Sequence, residues 1–170
     1  ETFETAKGEL RLVSLADKST IHMNGATRVV VRYHRGERAV TLDRGQAVFD
    51  VAHNASRPFV VTAGDQSIRV VGTQFDVRRL GGGVSVTVAR GAVEVAPSGG
   101  QGRRYRLHPG QSLRHREGGA GVELTAIDPT EAMSWRTGRL ILRDRSLAEV
   151  VQDLNQRFET PIRLADPDLG

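Results

Sequence analysis

Apolar and polar residues alternate with a period of two through most of residues 1–126, and this alternation limits what the chain can fold into more than any other feature. Val29, Val31 and Tyr33 share one face while Arg32 takes the other. Ala47, Phe49 and Val51 follow the same rule, as do Phe75 and Val77 against Asp76 and Arg78. Val84, Val86 and Val88 alternate with Ser85 and Thr87. Successive side chains on a strand point to opposite faces, so the pattern describes half-buried strands rather than helices. Turn-forming clusters interrupt it roughly every ten residues. They are Asn24-Gly25, Arg35-Gly36, Asp43-Arg44-Gly45, Arg57-Pro58, Gly64-Asp65, Gly81-Gly82-Gly83, residues 97–102 and Gly118-Gly119. The spacing predicts a mainly β chain: an all-β domain over residues 1–127, antiparallel and sandwich-, roll- or solenoid-like.

A short echo runs through this region. Leu42-Asp43-Arg44-Gly45-Gln46-Ala47, Val88-Ala89-Arg90-Gly91-Ala92-Val93 and Leu107-His108-Pro109-Gly110-Gln111-Ser112 each place a glycine three residues after an apolar one and then begin a new apolar stretch. Tight turns that need a positive φ explain the echo, and so do stacked rungs of one repeating unit. The pattern changes after a linker at residues 128–134. A strand is predicted over residues 139–143, with Leu140 and Leu142 on one face. Ser146 and Glu149 then form a capping box, and Leu147, Val150, Val151, Leu154 and Phe158 make a helical apolar stripe. Glu149, Gln152, Asp153 and Gln156 occupy the opposite face, which is expected to be exposed. Thr160-Pro161 ends the helix, and Ile162 and Leu164 begin another strand, so residues 135–170 read as a small βαβ unit.

Composition narrows the function. The net charge of +4 lies entirely before Trp135, because six arginines and six acids balance after it. The excess is too diffuse for a nucleic-acid surface. There is no cysteine, hence no disulfide or thiolate metal site. No apolar run reaches the ~20 residues that span a bilayer. The start at Glu1, without methionine and already strand-like, reads as a fragment of a larger protein. His22, His34, His53, His108 and His115 lack metal-ligand spacing and are expected at the surface or in turns, so no metal or cofactor is expected. Asp50 and Asp76 alternate outward and are expected to be solvated. Arg103, Arg104, Arg106, Arg114 and Arg116 read as the charged face of a hairpin around Pro109-Gly110; a solvated edge strand explains them, as would an anionic ligand or acidic partner.

One dipeptide could carry chemistry. In Gly72-Thr73 a hydroxyl follows an unhindered glycine carbonyl, and attack of that hydroxyl on its own peptide bond would convert amide to ester, which water then cleaves. Local strain and an oxyanion donor are the requirements. A bulge between two strands accounts for the same residues.

The order of these segments resembles the FecR family of transmembrane anti-sigma regulators. Leu15-Ala16-Asp17-Lys18-Ser19 is similar to its "L-x-D-G-S" start, with lysine in place of glycine. The segment from Arg38 to Val51 resembles "R-x-V-x-L-x-x-G-E-A-x-F-x-V", with Gln46 for glutamate. Arg57-Pro58-Phe59-Val60-Val61 and Val71-Gly72-Thr73-Gln74-Phe75-Asp76-Val77 resemble "R-P-F-x-V" and "L-G-T-x-F-x-V". Trp135-Arg136-Thr137-Gly138-Arg139-Leu140 and the following helix resemble the start of a secretin/TonB short N-terminal-like (STN) domain, only half of which is present. The resemblance implies a periplasmic region of a single-pass inner-membrane protein, anchored by an upstream helix. It implies binding to the N-terminal signalling domain of a TonB-dependent outer-membrane transporter, and relay to an extracytoplasmic-function (ECF) sigma factor through an upstream cytoplasmic region. Leu140, Leu142, Glu149, Gln152, Asp153 and Gln156 are the expected partner contacts. It also points to Gly72-Thr73 as a self-cleavage site acting through an N–O acyl shift, once and without turnover. A carbohydrate- or cell-wall-binding β-roll is a further alternative, for which only Tyr33, Tyr105 and Trp135 could stack on sugars, and Trp135 reads as junction packing.

Overall fold

The computed structural model describes residues 1–141 and 146–165. Its strands are β1 (Thr2–Glu4), β2 (Arg11–Ser14), β3 (Thr20–Met23), β4 (Arg28–Tyr33), β5 (Arg38–Asp50), β6 (Phe59–Ala63), β7 (Gln66–Val70), β8 (Gln74–Leu80), β9 (Gly83–Arg90), β10 (Val93–Pro97), β11 (Tyr105–Leu107), β12 (Gln111–Arg116) and β13 (Val122–Ala126). They form one curled sheet that doubles back on itself. One half runs β1-β4-β5-β6-β7-β10-β11, and the other β2-β3-β5-β8-β9-β12-β13. Only the β5–β6 pairing is parallel among the described residues; the rest are antiparallel.

The long strand β5 belongs to both halves, which corrects the turn expected at Asp43-Arg44-Gly45. Its first part pairs with β4 and β6, and its second part with β3 and β8. Gly45, at φ 93°, makes the bend without ending the strand. A Cβ there would collide with the Thr27 side chain and lie 2.6 Å from its Cα. The inward phase shifts by one residue across the bend: Val40 and Leu42 face the core before it, Ala47 and Phe49 after it.

Each of the echoed segments is a place where the chain passes between the two halves. The first is the bend within β5, the second links β9 to β10, and the third links β11 to β12. Gly45, Gly91 and Gly110 have φ of 93°, 84° and 80°. The echo is therefore turn chemistry reused at three of the crossings. Between the halves lies a single core in which Phe49 stacks on Phe75 at 5.3 Å and tilts against Phe59 at 6.0 Å.

The C-terminal part packs on the outer face of the second half-sheet. A short helix α1 (Pro129–Ala132), capped by the Asp128 side chain, stands where a plain linker was expected. A 3-10 turn at Ser134–Thr137 buries Trp135. Helix α2 (Leu147–Arg157) begins with the expected capping box. Residues 139–141 and 161–165 carry no strand, unlike the flanking strands of the expected βαβ unit. Among the described residues no ladder partner reaches them; instead the Asn155 side chain brackets the Ile162 backbone, accepting its N–H at 2.7 Å and donating to its carbonyl at 2.9 Å. Leu142 lies outside the described residues. No helix among the described residues is long and apolar enough to cross a membrane.

Candidate functional site

Gly72-Thr73 lies on the crossing from β7 to β8, and the neighbouring crossings close around it. The Val51 N–H donates to the Thr73 carbonyl at 2.9 Å, and the Asn54 N–H donates to the Val71 carbonyl at 2.7 Å. The Thr73 hydroxyl is buried and donates to the Ala92 carbonyl at 3.0 Å. Gly91 covers the same side: a Cβ there would sit 2.9 Å from Thr73 Oγ1 and 3.0 Å from the Gly72 carbonyl oxygen. On the other side, a Cβ on Gly72 would lie 2.7 Å from His53 Nδ1 and 2.8 Å from His53 Cα. The site thus requires glycine at two positions, 72 for His53 and 91 for Thr73. The expected bulge falls between Gln74 and Phe75, just beyond the dipeptide. A cleft of about 500 Å³ opens at Gly72, lined also by Lys18, Thr20, Asp50, His53 and Arg90. Sequence reading found the dipeptide but not His53 or Gly91, which are distant in the chain.

The second feature is the face covered by the C-terminal segment. Asp76 does point away from Phe75 and Val77, as the alternation implies, yet it is buried rather than solvated. Its row across the half-sheet is His22, Val48, Asp76, Thr87, Ser112 and Thr125. Met133 and Trp135 pack on Val48 and seal that row. Asp76 accepts from Gln46 Nε2 at 3.0 and 3.1 Å and from Trp135 Nε1 at 3.3 Å, and Gln46 in turn accepts from Asn24 at 3.0 Å. Burial pushes the carboxyl up to about 7, against the pull of Gln46, Trp135 and Arg78. Asp50, by contrast, is held near the surface by Arg90 and Gln74, each at 2.8 Å.

Helix α2 lies over this face in the opposite sense from that expected. Asp153 and Gln156 are its buried residues. Asp153 pairs with Arg78 at 2.6 Å, and Glu149 with Arg114 at 3.1 Å. Gln152 is exposed but leans over Gly81, and the Gln156 carbonyl accepts from the Gly8 N–H at 3.0 Å. The polar face is the docked one because the sheet beneath it presents arginines. Leu147 and Phe158, 45% and 55% exposed, face outward instead. Leu140 is half-buried at the edge of the groove beside the helix.

The arginine group also separates. Arg104 pairs with Glu94 at 3.1 Å and Arg103 sits over Tyr105 at 5.1 Å, both on the first half-sheet. Arg114 belongs to the second, because β11 and β12 pair with different neighbours and make no hairpin. His115 departs from the surface expectation: it is buried, with Nε2 3.0 Å from Asp65 and Nδ1 3.0 Å from the Gly121 carbonyl. Burial opposes its protonation, but Asp65 and the carbonyl outweigh it and raise the imidazole. Arg38, 1% exposed, is the largest fully buried side chain among the described residues; it donates to Asp17 at 2.6 Å and to the Ala52 and Arg57 carbonyls at 2.9 and 2.8 Å. Among the described residues no cluster of His, Cys, Asp or Glu is placed to hold a metal ion.

Comparison with known proteins places this geometry. The family model described as FecR protein matches residues 1–94. Two crystal structures of a provisionally assigned anti-sigma factor from Parabacteroides distasonis ATCC 8503 share the fold. The 1.65 Å structure is 23% identical with a TM-score of 0.85, over 92% of this chain and 74% of its own. The 2.50 Å structure is 22% identical with a TM-score of 0.85, over 94% of this chain and 75% of its own. No curated protein matched the chain.

Proposed function

This chain belongs to the FecR protein family, and from that premise we propose that it is the periplasmic, signal-receiving region of an anti-sigma regulator. In this reading it is held at the inner membrane by an upstream helix and binds the N-terminal signalling domain of a TonB-dependent outer-membrane transporter. The signal passes to an ECF sigma factor through a cytoplasmic region outside this chain. The observation that carries the reading within this structure is the orientation of α2. Arg78 and Arg114 hold its polar face to the sheet, leaving Leu147 and Phe158 outward. An outward apolar helix face suits a protein partner, since anchors of this kind dominate binding when they are desolvated.

The test is titration of the transporter's signalling domain into the wild-type chain and into a Leu147→Ser/Phe158→Ser variant. Both side chains are largely exposed, so the fold should tolerate the change. We expect the variant to bind at least about tenfold more weakly, the loss of roughly 1.4 kcal/mol. Equal affinity would remove α2 from the interface.

A second reading is favoured by the closure around Gly72-Thr73. The buried Thr73 hydroxyl and the Gly72 carbonyl oxygen both face Gly91, while the cleft reaches Gly72 from the other side. Self-cleavage by an N–O acyl shift fits this arrangement. It yields fragments 1–72 and 73–170 on a denaturing gel, and Thr73→Ala should abolish them. Wild-type chain that stays whole on prolonged incubation, like the variant, would remove this reading.

A further inference from the structure

We propose that His53 is the general base for the hydrolytic half of this reaction, acting on a water held in the cleft at Gly72; the proposal rests on the self-cleavage reading. The two halves of the reaction need different groups on different sides of one peptide. On the Gly91 side lie the nucleophile, Thr73 Oγ1, and the oxygen that gains charge, Gly72 O. Thr73 is buried there, and the turn admits no side chain at 91. His53 packs against the α-carbon of Gly72, with Nδ1 2.7 Å from the position of a Cβ. This places the ring nitrogen within roughly 4 Å of Gly72 Cα, a separation that one bridging water spans on its way to the adjoining carbonyl carbon.

Three observations support a role in chemistry. His53 is exposed to the cleft rather than buried in packing, so its ring can meet water. Its backbone is fixed against the same crossing: the flanking Val51 and Asn54 N–H groups donate to the carbonyls of Thr73 and Val71, on either side of Gly72. The charged groups lining the cleft are Lys18 from the β2–β3 turn, Asp50 from the end of β5 and Arg90 from the end of β9. Asp50 is engaged by Arg90 and Gln74, which leaves the imidazole as the group lining the cleft with a ring nitrogen able to take a proton from water.

The steps balance as follows. Thr73 Oγ1 attacks the Gly72 carbonyl carbon, the C–N bond breaks, and the hydroxyl proton ends on the Thr73 nitrogen, giving an ester. His53 then takes a proton from water as the oxygen attacks the same carbon. The C–O ester bond breaks, and the proton passes to the departing Thr73 oxygen. One water is consumed, leaving a carboxyl at Gly72 and a free amine and hydroxyl at Thr73.

The experiment compares wild type, His53→Ala, His53→Gln and Thr73→Ala as full chains, with circular dichroism and thermal melts confirming that each is folded. Fragments are followed by denaturing gel and mass spectrometry from pH 5 to 9, with and without hydroxylamine, which cleaves esters. We expect both His53 variants to slow on the order of a hundredfold. They should also release the 1–72 fragment promptly with hydroxylamine, as the Gly72 hydroxamate, because the ester accumulates. His53 variants that cleave at the wild-type rate would overturn the role of His53 and leave self-cleavage standing. Folded variants inert even to hydroxylamine would place His53 before the ester and overturn the hydrolytic assignment. Wild type that yields no fragments, with or without hydroxylamine, would overturn self-cleavage itself, and this proposal with it.

Discussion

Asp76 illustrates how a side chain can be correctly oriented by its sequence and still be misjudged in its surroundings. Period two puts it opposite Phe75 and Val77, and that is where it lies. What covers it comes from Trp135 and Met133, whose arrival depends on tertiary packing and leaves no mark in the local pattern. The consequence is measurable. A carboxyl raised to about 7 in the fold, against about 4 in an unfolded chain, keeps its proton in the native state after the unfolded state has lost it. Its stabilising contribution is complete below about pH 4 and is lost as pH rises to about 7. Denaturant melts across pH 4–8 should show this fall, and Asp76→Asn, which cannot ionise, should flatten it. An unchanged slope in the variant would assign the pH dependence elsewhere. Gly72 makes a steric prediction at the same scale. Ala at 72 would press on His53 Cα at 2.8 Å, a backbone atom that cannot swing away, so Gly72→Ala should destabilise the chain by about 1–3 kcal/mol in the same melts.

At the scale of elements, the strands follow directly from alternation and the α2 boundaries from its capping box. Two errors have physical causes. A glycine at positive φ can end a strand or bend one, and at Gly45 both flanking stretches keep partners, so the strand continues. Amphipathicity identifies two faces of a helix without saying which will dock. Here Arg78 and Arg114 on the sheet select the acidic one. Removing one partner of a buried pair leaves the other charge uncompensated, which typically costs about 3–5 kcal/mol. Asp153→Ala should therefore release α2 before the sheet unfolds. Trp135, the single tryptophan, sits in the adjoining junction and reports this directly. Its emission should shift to the red in the variant at denaturant concentrations where the far-ultraviolet strand signal is still native. Coincident transitions would mean that helix and sheet unfold together.

For the whole molecule, the decisive feature is that, among the described residues, none from the C-terminal segment enters the core between the half-sheets. Sequence reading separated the two parts by a change of period, but it could not show that the second acts as a lid on the first. The interior of the β part is closed by its own strands, so the chain 1–127 should fold alone and keep the Phe49–Phe75 stack. What it should lose is the cover over Val48 and Asp76. With water restored to that face, the desolvation that raises Asp76 disappears while the Gln46 hydrogen bonds remain. The Asp76 carboxyl, followed by carbon-detected nuclear magnetic resonance, should then titrate near the ordinary value of about 4 instead of about 7. A folded 1–127 chain in which it still titrates near 7 would show that the strands alone bury it. An unfolded one would show that the C-terminal segment and the curled sheet form a single cooperative unit. If the shift occurs, the ionisation of one carboxyl becomes a direct readout of whether the C-terminal segment is seated, the quantity a bound partner on α2 would alter.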